Sequence, residues 1–213
     1  MKNNHSPIKE ACVQTFAEAV TAAHRGADRI ELCKRLDLEG LTPDRRVIEQ
    51  SLLSLSIPVK VMIRPRGGNF IYNDNELSAM EKEIDVCKSI GVKEVVFGLL
   101  TSERTIDIES SARLAERASP MAVTFHKAID FAAHIMEELQ RLKSVPQISS
   151  ILTSGGARTA MQGRKTIKEI MNKFGNRFNI IAAGSITEKN LDLIHSHIGS
   201  KEYHGRKIVG KLT

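Results

Sequence analysis

The sequence predicts an α/β fold, a TIM-type (β/α) barrel of parallel strands that is truncated at its final helix. Short apolar runs alternate with amphipathic helical patterns along the chain, and eight such runs can be counted. The runs are nearly continuous in apolar residues, as in parallel strands that helices cover. A seven-stranded or open sheet is the alternative. No linker or low-complexity tract interrupts the 213 residues, so we expect one barrel domain over 1–213.

The first half of the chain contains four strand and helix pairs. Strands are predicted at 8–12, 28–33, 59–64 and 94–100, and helices at 16–25, 42–55, 76–90 and 106–118. Gly26 follows the first helix as a C-cap, and Thr42 with Pro43 is a typical N-cap and first-turn pair for the second. A loop rich in turn residues, 65–75, precedes the third helix, and Gly91 follows it.

The second half repeats this order. Strands are predicted at 121–126, 148–153, 179–183 and, as a short stub, 202–204, and helices at 131–143, 157–174 and 188–197. The chain is shorter than the roughly 250 residues usual for this fold. The last helix should therefore be missing or vestigial.

Composition excludes several classes of protein. The net charge of +6 favours anionic partners, but the basic residues are scattered, aromatics are only 4%, and no nucleic-acid-binding motif is present, so we expect no nucleic acid partner. No stretch approaches the roughly 20 apolar residues of a membrane helix, and residues 1–9 lack the apolar run of a secretory signal. We therefore expect a cytoplasmic protein without a membrane partner. Three cysteines match neither a disulfide framework nor a CxxC zinc site, so reduced thiols are expected.

Side-chain alternation along each strand predicts which residues face the barrel interior. The apolar set should meet the helices and the polar set should point inward. The inward set contains three acids and three bases, so we expect internal ion pairs. Its members are Glu10, Cys12, Arg29, Glu31, Cys33, Lys60, Met62, Arg64, Glu94, Val96, Gly98, Thr124 and His126.

Three inward residues near strand ends are candidates for catalysis. Glu10, Glu31 and His126 lie where barrel enzymes place their chemistry, whereas Arg29, Lys60 and Glu94 lie lower and are expected to form structural ion pairs. His126 suits a proton shuttle, a metal ligand or a satisfied interior histidine. His204 is a similar but weaker candidate.

Arginines and glycine turns at the strand ends suggest an anion-binding site. Arg64 and Arg66 flank a rigid proline and precede two glycines, a combination suited to a carboxylate or phosphate. Two further turns follow strands and precede helices whose free amides attract anions: Ser154, Gly155 and Gly156 in one, and Gly184 and Ser185 in the other. The alternative is that these glycines only permit tight turns.

Two cysteines form a candidate metal site. Cys12 and Cys33 end adjacent parallel strands, about 4.8 Å apart, and both point inward. Two thiolates with few hard ligands suit a soft ion such as Cu(I), although buried cysteine is also a common small hydrophobe. Cys87 falls on an apolar helical stripe and is expected to fill the core.

Several segments together resemble the CutC family of copper homeostasis proteins. They are Gly26-Ala-Asp-Arg-Ile-Glu-Leu-Cys33, Gly40-Leu-Thr-Pro43, Met62-Ile-Arg-Pro-Arg-Gly-Gly-Asn-Phe70, Thr124-Phe-His126 with Asp130, and Ile151-Leu-Thr-Ser-Gly-Gly156. The resemblance implies a cytoplasmic TIM-type barrel, often a homo-oligomer, that serves in copper trafficking or tolerance. Cysteines near the first two strand ends, here Cys12 and Cys33, are the implied Cu(I) ligands. Many members continue well past the eighth strand, whereas here only a short basic tail follows it.

The sequence therefore favours two functions. The first is Cu(I) binding in copper homeostasis, with copper as the cofactor or cargo. The second is an enzyme whose reaction is not established, an isomerase-like or lyase-like proton transfer on a small anionic or phosphorylated molecule. No nucleotide fingerprint, nucleophile elbow or strong zinc motif points to another reaction class. A noncatalytic binding scaffold is the third alternative.

Overall fold

A closed barrel of eight parallel strands forms the centre of the molecule in the computed structural model, which describes residues 6–212. Each strand pairs with the next in chain order, and the last pairs with the first. The predicted fold class is therefore confirmed. The strands are β1 (Ile8–Val13), β2 (Arg29–Leu32), β3 (Val59–Met62), β4 (Glu94–Phe97), β5 (Ala122–Phe125), β6 (Ile148–Thr153), β7 (Asn179–Ala182) and β8 (Glu202–Gly205).

Seven α-helices follow the first seven strands along the described chain. They are α1 (Phe16–His24), α2 (Arg45–Ser54), α3 (Asp74–Ser89), α4 (Ile108–Ala118), α5 (Ile135–Leu142), α6 (Arg164–Phe174) and α7 (Leu191–Ile198). Within residues 6–212 no helix follows β8, as predicted. None of the helices in this range combines the length and apolar character that crossing a bilayer requires.

The start of α2 differs from the prediction. Asp44, not Thr42, is the N-cap residue of this helix. The Thr42 hydroxyl instead accepts a hydrogen bond from the Arg64 backbone N–H and donates one to the Arg64 carbonyl. The predicted N-cap was wrong because this side chain ties the loop to the end of β3.

Two further helices begin later than predicted. A 3₁₀ helix, Lys127–Phe131, and a short connection precede α5, and α6 begins at Arg164 rather than at residue 157. The segment 157–163 is held by contacts with neighbouring turns: Ser154 Oγ donates to the Ala157 carbonyl, and the Ala160 N–H donates to the Gly184 carbonyl. These tertiary hydrogen bonds replace the first helical turns.

The apolar core lies between the strands and the surrounding helices. The residues predicted to face outward, among them Ile30, Leu32, Val123 and Phe125, are fully buried in this layer. The strands therefore bury an apolar face outward, and β1, β2, β3, β5 and β8 turn polar side chains to the barrel interior, as the alternation predicted. In β6 and β7 the other face also carries apolar residues, Leu152 and Ile181, which form a small cluster apart from the main core.

An ion-pair network fills the lower barrel interior. Arg29 Nε donates to Glu10 at 2.5 Å, and Lys60 Nζ lies 3.2 Å from Glu10 and 2.7 Å from Glu94. Lys60 also donates to the Thr124 hydroxyl, and it is only 1% exposed. The predicted internal pairing is confirmed, and Lys60 is the cation that Glu10 and Glu94 share, in addition to the Arg29 partner of Glu10.

Replacing Lys60 should show how much the barrel depends on this pairing. Lys60→Met leaves Glu10 and Glu94 without their shared cation, and we expect the free energy of unfolding to fall by about 3 kcal/mol. Lys34→Met is the matched control, because Lys34 pairs with Asp44 at 2.8 Å where both side chains are solvent-exposed. Urea denaturation of both variants measures the difference. An equal, small effect from both substitutions would contradict a structural role for the network.

Candidate functional site

The carboxyl ends of the strands surround a small pocket at the barrel mouth. Its volume is about 160 Å³. Strands β1, β2 and β8 contribute Cys12, Glu31 and His204, and the segments after β3 and β5 contribute Arg64, Phe70 and His126. Four of the residues predicted to carry chemistry, Cys12, Glu31, Arg64 and His126, therefore line one pocket, together with the weaker candidate His204.

The two predicted metal ligands are brought together. Cys12 Sγ lies 3.5 Å from Cys33 Sγ, and both side chains are buried. Met62 and Val96 pack with these cysteines in a small apolar cluster on the barrel interior. The two thiols are thus buried away from water, and an ion bound between them would be coordinated by sulfur.

Glu31 and His204 lie beside the thiol pair. Cys12 Sγ is 3.6 Å from Glu31 Oε1, and His204 Nε2 is 3.9 Å from the same oxygen. One donor atom from each of Cys12, Glu31 and His204 falls within 4.8 Å of the others. This mixed group of sulfur, oxygen and nitrogen is a second arrangement that can hold a metal ion.

Glu10 supports the site from below. Its carboxylate is fully buried and contacts His204 Nδ1 at 2.8 Å in addition to Arg29 and Lys60. Burial alone would raise the pKa of Glu10, but the positive charges of Lys60, His204 and Arg29 hold it well below its usual range. Glu10 is therefore ionised at neutral pH. It holds its cationic neighbours in place and cannot act as a general acid.

The surroundings of the thiols favour the protonated forms of Cys12 and His204. The hydrogen bond to Cys33 and burial raise the pKa of the Cys12 thiol, and burial raises the pKa of Glu31. Burial would lower the pKa of His204, but the neighbouring Glu31, Cys12 and Glu10 raise it well above its usual value. A metal ion that binds here has to displace protons.

Arg64 forms one wall of the pocket. Its guanidinium donates to the carbonyl oxygens of Leu38, Gly40 and Gly68, so it holds two loops together. It also lies over the Phe70 ring, with 4.8 Å between the guanidinium carbon and the ring centroid. This predicted anion-binding residue is thus at the mouth and rigidly placed.

His126 lies next to Arg64 and Phe70. Its Nδ1 accepts a hydrogen bond from the Ala128 N–H, and its ring packs edge-on against Phe70 at 5.0 Å between centroids. Gly98 makes room for the ring, since a Cβ on Gly98 would lie 2.5 Å from Nδ1. Burial, with the nearby charge of Arg64, lowers the pKa of His126 to about 3. His126 is therefore neutral at physiological pH.

The glycine turn after β6 differs from the expectation of an open anion site. The Asp130 carboxylate accepts hydrogen bonds from the backbone N–H groups of Ser154 and Gly156 and from the hydroxyls of Thr153 and Ser154. The Gly155 N–H donates to the Thr153 hydroxyl. The anion that this turn binds is therefore the Asp130 side chain of the protein itself. No local sequence pattern indicated this contact.

The remaining predicted anion-binding residues also lie away from the pocket. Arg66 is engaged by Glu76 at 2.5 Å and by three backbone carbonyls of its own loop. Gly184 allows the β6 and β7 turns to approach, because a Cβ there would lie 2.9 Å from both the Ala160 nitrogen and Ser154 Cβ. The Ser185 carbonyl accepts from the Asn190 side chain. Arg66 is thus held within its loop and the β6 turn by Asp130, and neither Gly184 nor Ser185 lines the mouth pocket.

His204 is the site residue that sequence reasoning ranked too low. The strand register places His204 in the site, because His204 in β8 pairs with Glu10 in β1 and points to the same inward face. The sequence predicts only three residues for this strand, too few to show which of its side chains face inward.

A larger cavity, about 910 Å³, lies at the opposite end of the strands among the ends of α2, β3 and α3. Of the charged residues of the barrel interior, Lys60 and Glu94 line it, and none of the residues of the mouth pocket does.

Acid should destabilise the protein partly through His126. Its pKa is about 3 in the folded chain and near 6.5 in an unfolded one, so between these values the unfolded state binds more protons and stability falls as the pH is lowered. From pH 7.5 to pH 5 this contributes about 2 kcal/mol. His126→Gln should lose about that much less stability over the same range in urea denaturation. An unchanged pH dependence would contradict the neutral, buried histidine.

Comparison with known proteins identifies the relatives of this chain. A family model described as the CutC family matches residues 8–209. The human copper homeostasis protein cutC homolog is 39% identical over 197 residues, which is 92% of this chain and 72% of the human protein. The homolog from Dictyostelium discoideum is 36% identical over 225 residues and covers 92% of this chain and 80% of its own.

Solved structures place the chain in the same group. The crystal structure of the CutC protein from Streptococcus agalactiae superimposes with a TM-score of 0.89 at 31% identity, over 95% of this chain and 99% of that one. A phosphonomutase structure from Burkholderia cenocepacia superimposes with a TM-score of 0.61 at 14% identity, over 93% and 87% of the two chains, and shares the fold alone. On the family model, the relatives and the shared structure, this chain belongs to the CutC family.

Proposed function

We propose that this protein serves in copper homeostasis by binding Cu(I) through Cys12 and Cys33 at the barrel mouth. The observation that carries the proposal is the 3.5 Å separation of the two sulfur atoms. Two sulfurs this close can both contact one ion once their protons are displaced. The names of the human and Dictyostelium discoideum relatives support the physiological setting.

The surroundings of the thiols favour a soft ion. Thiolate ligands select Cu(I) over hard cations such as Mg²⁺ and Ca²⁺, which prefer oxygen. Cys33 is fully buried and Cys12 is 7% exposed, with Met62 and Val96 beside them. Such a niche offers few oxygen ligands and little water, and it also protects a bound Cu(I) ion from solvent.

Glu31 and His204 define the competing ligand set. With Cys12 they form a group that suits a borderline ion such as Zn²⁺. His204 contacts Glu10 through Nδ1 at 2.8 Å and presents Nε2 to this group, so it can join the group without turning. Cu(I), however, prefers sulfur to this mixed set of donors, so we assign the two sulfurs as its ligands and place His204 in a supporting role.

Removing the thiols should abolish copper binding. In a Cu(I) titration against a chromophoric chelator, we expect the unmodified protein to bind one ion, and Cys12→Ser with Cys33→Ser to lose that binding, because a hydroxyl is a poor Cu(I) ligand. Cys87→Ser is the matched control, since Cys87 is a buried thiol on α3 outside the site. Unchanged stoichiometry and affinity in the double variant would refute the proposal.

A second titration separates the two ligand sets. His204→Gln keeps a hydrogen-bonding side chain beside Glu10 but removes the imidazole, so Cu(I) affinity should change by less than about tenfold if only the sulfurs bind the ion. A loss of a hundredfold or more, accompanied by tighter binding of Zn²⁺ than of Cu(I) to the unmodified protein, would instead favour the group of Cys12, Glu31 and His204.

A further inference from the structure

Three unpartnered polar atoms belong to residues around one pocket. Glu31 Oε2, Arg64 Nε and His126 Nε2 are buried and make no hydrogen bond within residues 6–212, and all three residues line the mouth pocket. Only the hydroxyls of Tyr72 and Ser111 share this property in the described chain, and neither residue lines this pocket. Because buried polar atoms are nearly always hydrogen-bonded, three exceptions in one place point to a missing ligand.

The charge of Arg64 indicates that the ligand is an anion. Arg64 is 2% exposed, and its hydrogen bonds go to neutral carbonyl oxygens. Its nearest carboxylate in the described chain, Glu39, is 4.0 Å away on a side chain that is 74% exposed. A buried guanidinium without a buried counter-ion is costly, and an anion in the pocket would supply one.

His126 presents a second donor on the same wall. Its Nδ1 accepts from the Ala128 N–H, so the proton of the neutral ring is on Nε2. Phe70 packs against both the His126 ring and the Arg64 guanidinium and keeps the two side chains next to each other. The Arg64 Nε–H and the His126 Nε2–H are therefore two donors that one carboxylate can satisfy, while Glu31 Oε2 is an acceptor for a hydroxyl.

We propose that the mouth pocket binds a short hydroxycarboxylate, with its carboxylate on Arg64 and His126 and its hydroxyl on Glu31. The volume of about 160 Å³ corresponds to about five water molecules, the size of a two- or three-carbon acid. A phosphate would need more donors, and the glycine-turn amides that could supply them are held by Asp130. The proposal uses neither thiol and does not depend on copper binding.

Calorimetric titration of the metal-free protein with glycolate, lactate, acetate and inorganic phosphate tests this assignment. We expect saturable one-site binding of glycolate or lactate, with acetate weaker because it lacks the hydroxyl. His126→Phe and Arg64→Lys each remove one donor and should weaken binding by about tenfold to a hundredfold. Glu31→Ala should remove the advantage of glycolate over acetate.

Matched controls make the result decisive. Arg66→Lys changes a second arginine in the segment after β3. Glycolate affinity should stay the same, because the Arg66 guanidinium is already paired with Glu76. Cys33→Ser removes a proposed copper ligand that does not line the pocket and should bind glycolate normally, which separates this proposal from the copper site. Thermal unfolding confirms that each variant is folded. The proposal is overturned if no carboxylate binds, if Arg66→Lys weakens binding as much as His126→Phe, or if phosphate binds more tightly than every carboxylate.

Discussion

The buried carboxylate of Glu10 is the group around which the barrel interior is organised. It is fully buried, and it contacts cationic or histidine side chains from β2, β3 and β8. An ionised carboxylate at such a position is tolerated only because these partners replace its water. The same contacts fix His204, and through it the neighbouring Glu31, so the charge network below determines the geometry of the mouth above.

Glu31 connects the two halves of the mouth. Its Oε1 atom faces Cys12 and His204, whereas its Oε2 atom has no partner in the described chain. A metal at the thiols would therefore lie beside the Oε1 atom of this carboxylate, and a hydroxycarboxylate beside Arg64 would contact its Oε2 atom. Any coupling between two ligands on either side of one group is reciprocal.

Asp130 explains why the turn after β6 is not open to an anionic ligand. Its carboxylate accepts hydrogen bonds from the amides of this turn and joins the turn to the segment after β5. In the proposed hydroxycarboxylate site the donors are side chains, those of Arg64 and His126. The internal carboxylate of Asp130 gives the β6 turn a structural role.

The sequence by itself determined the strand count, the barrel, and the inward set that includes Glu10, Cys12 and Glu31, because strand periodicity is local and the apolar residues must face the helices. Tertiary structure decided which of those polar groups remain free. Asp130 meets a turn 24 residues away along the chain, and Arg66 meets Glu76 in the first turn of α3. Such pairings depend on how loops meet at the mouth, which no local pattern encodes, and they hold residues that were predicted as anion ligands. The closure of the barrel between β8 and β1 likewise brought His204, a weak candidate in the sequence, into contact with Glu10 and next to Glu31.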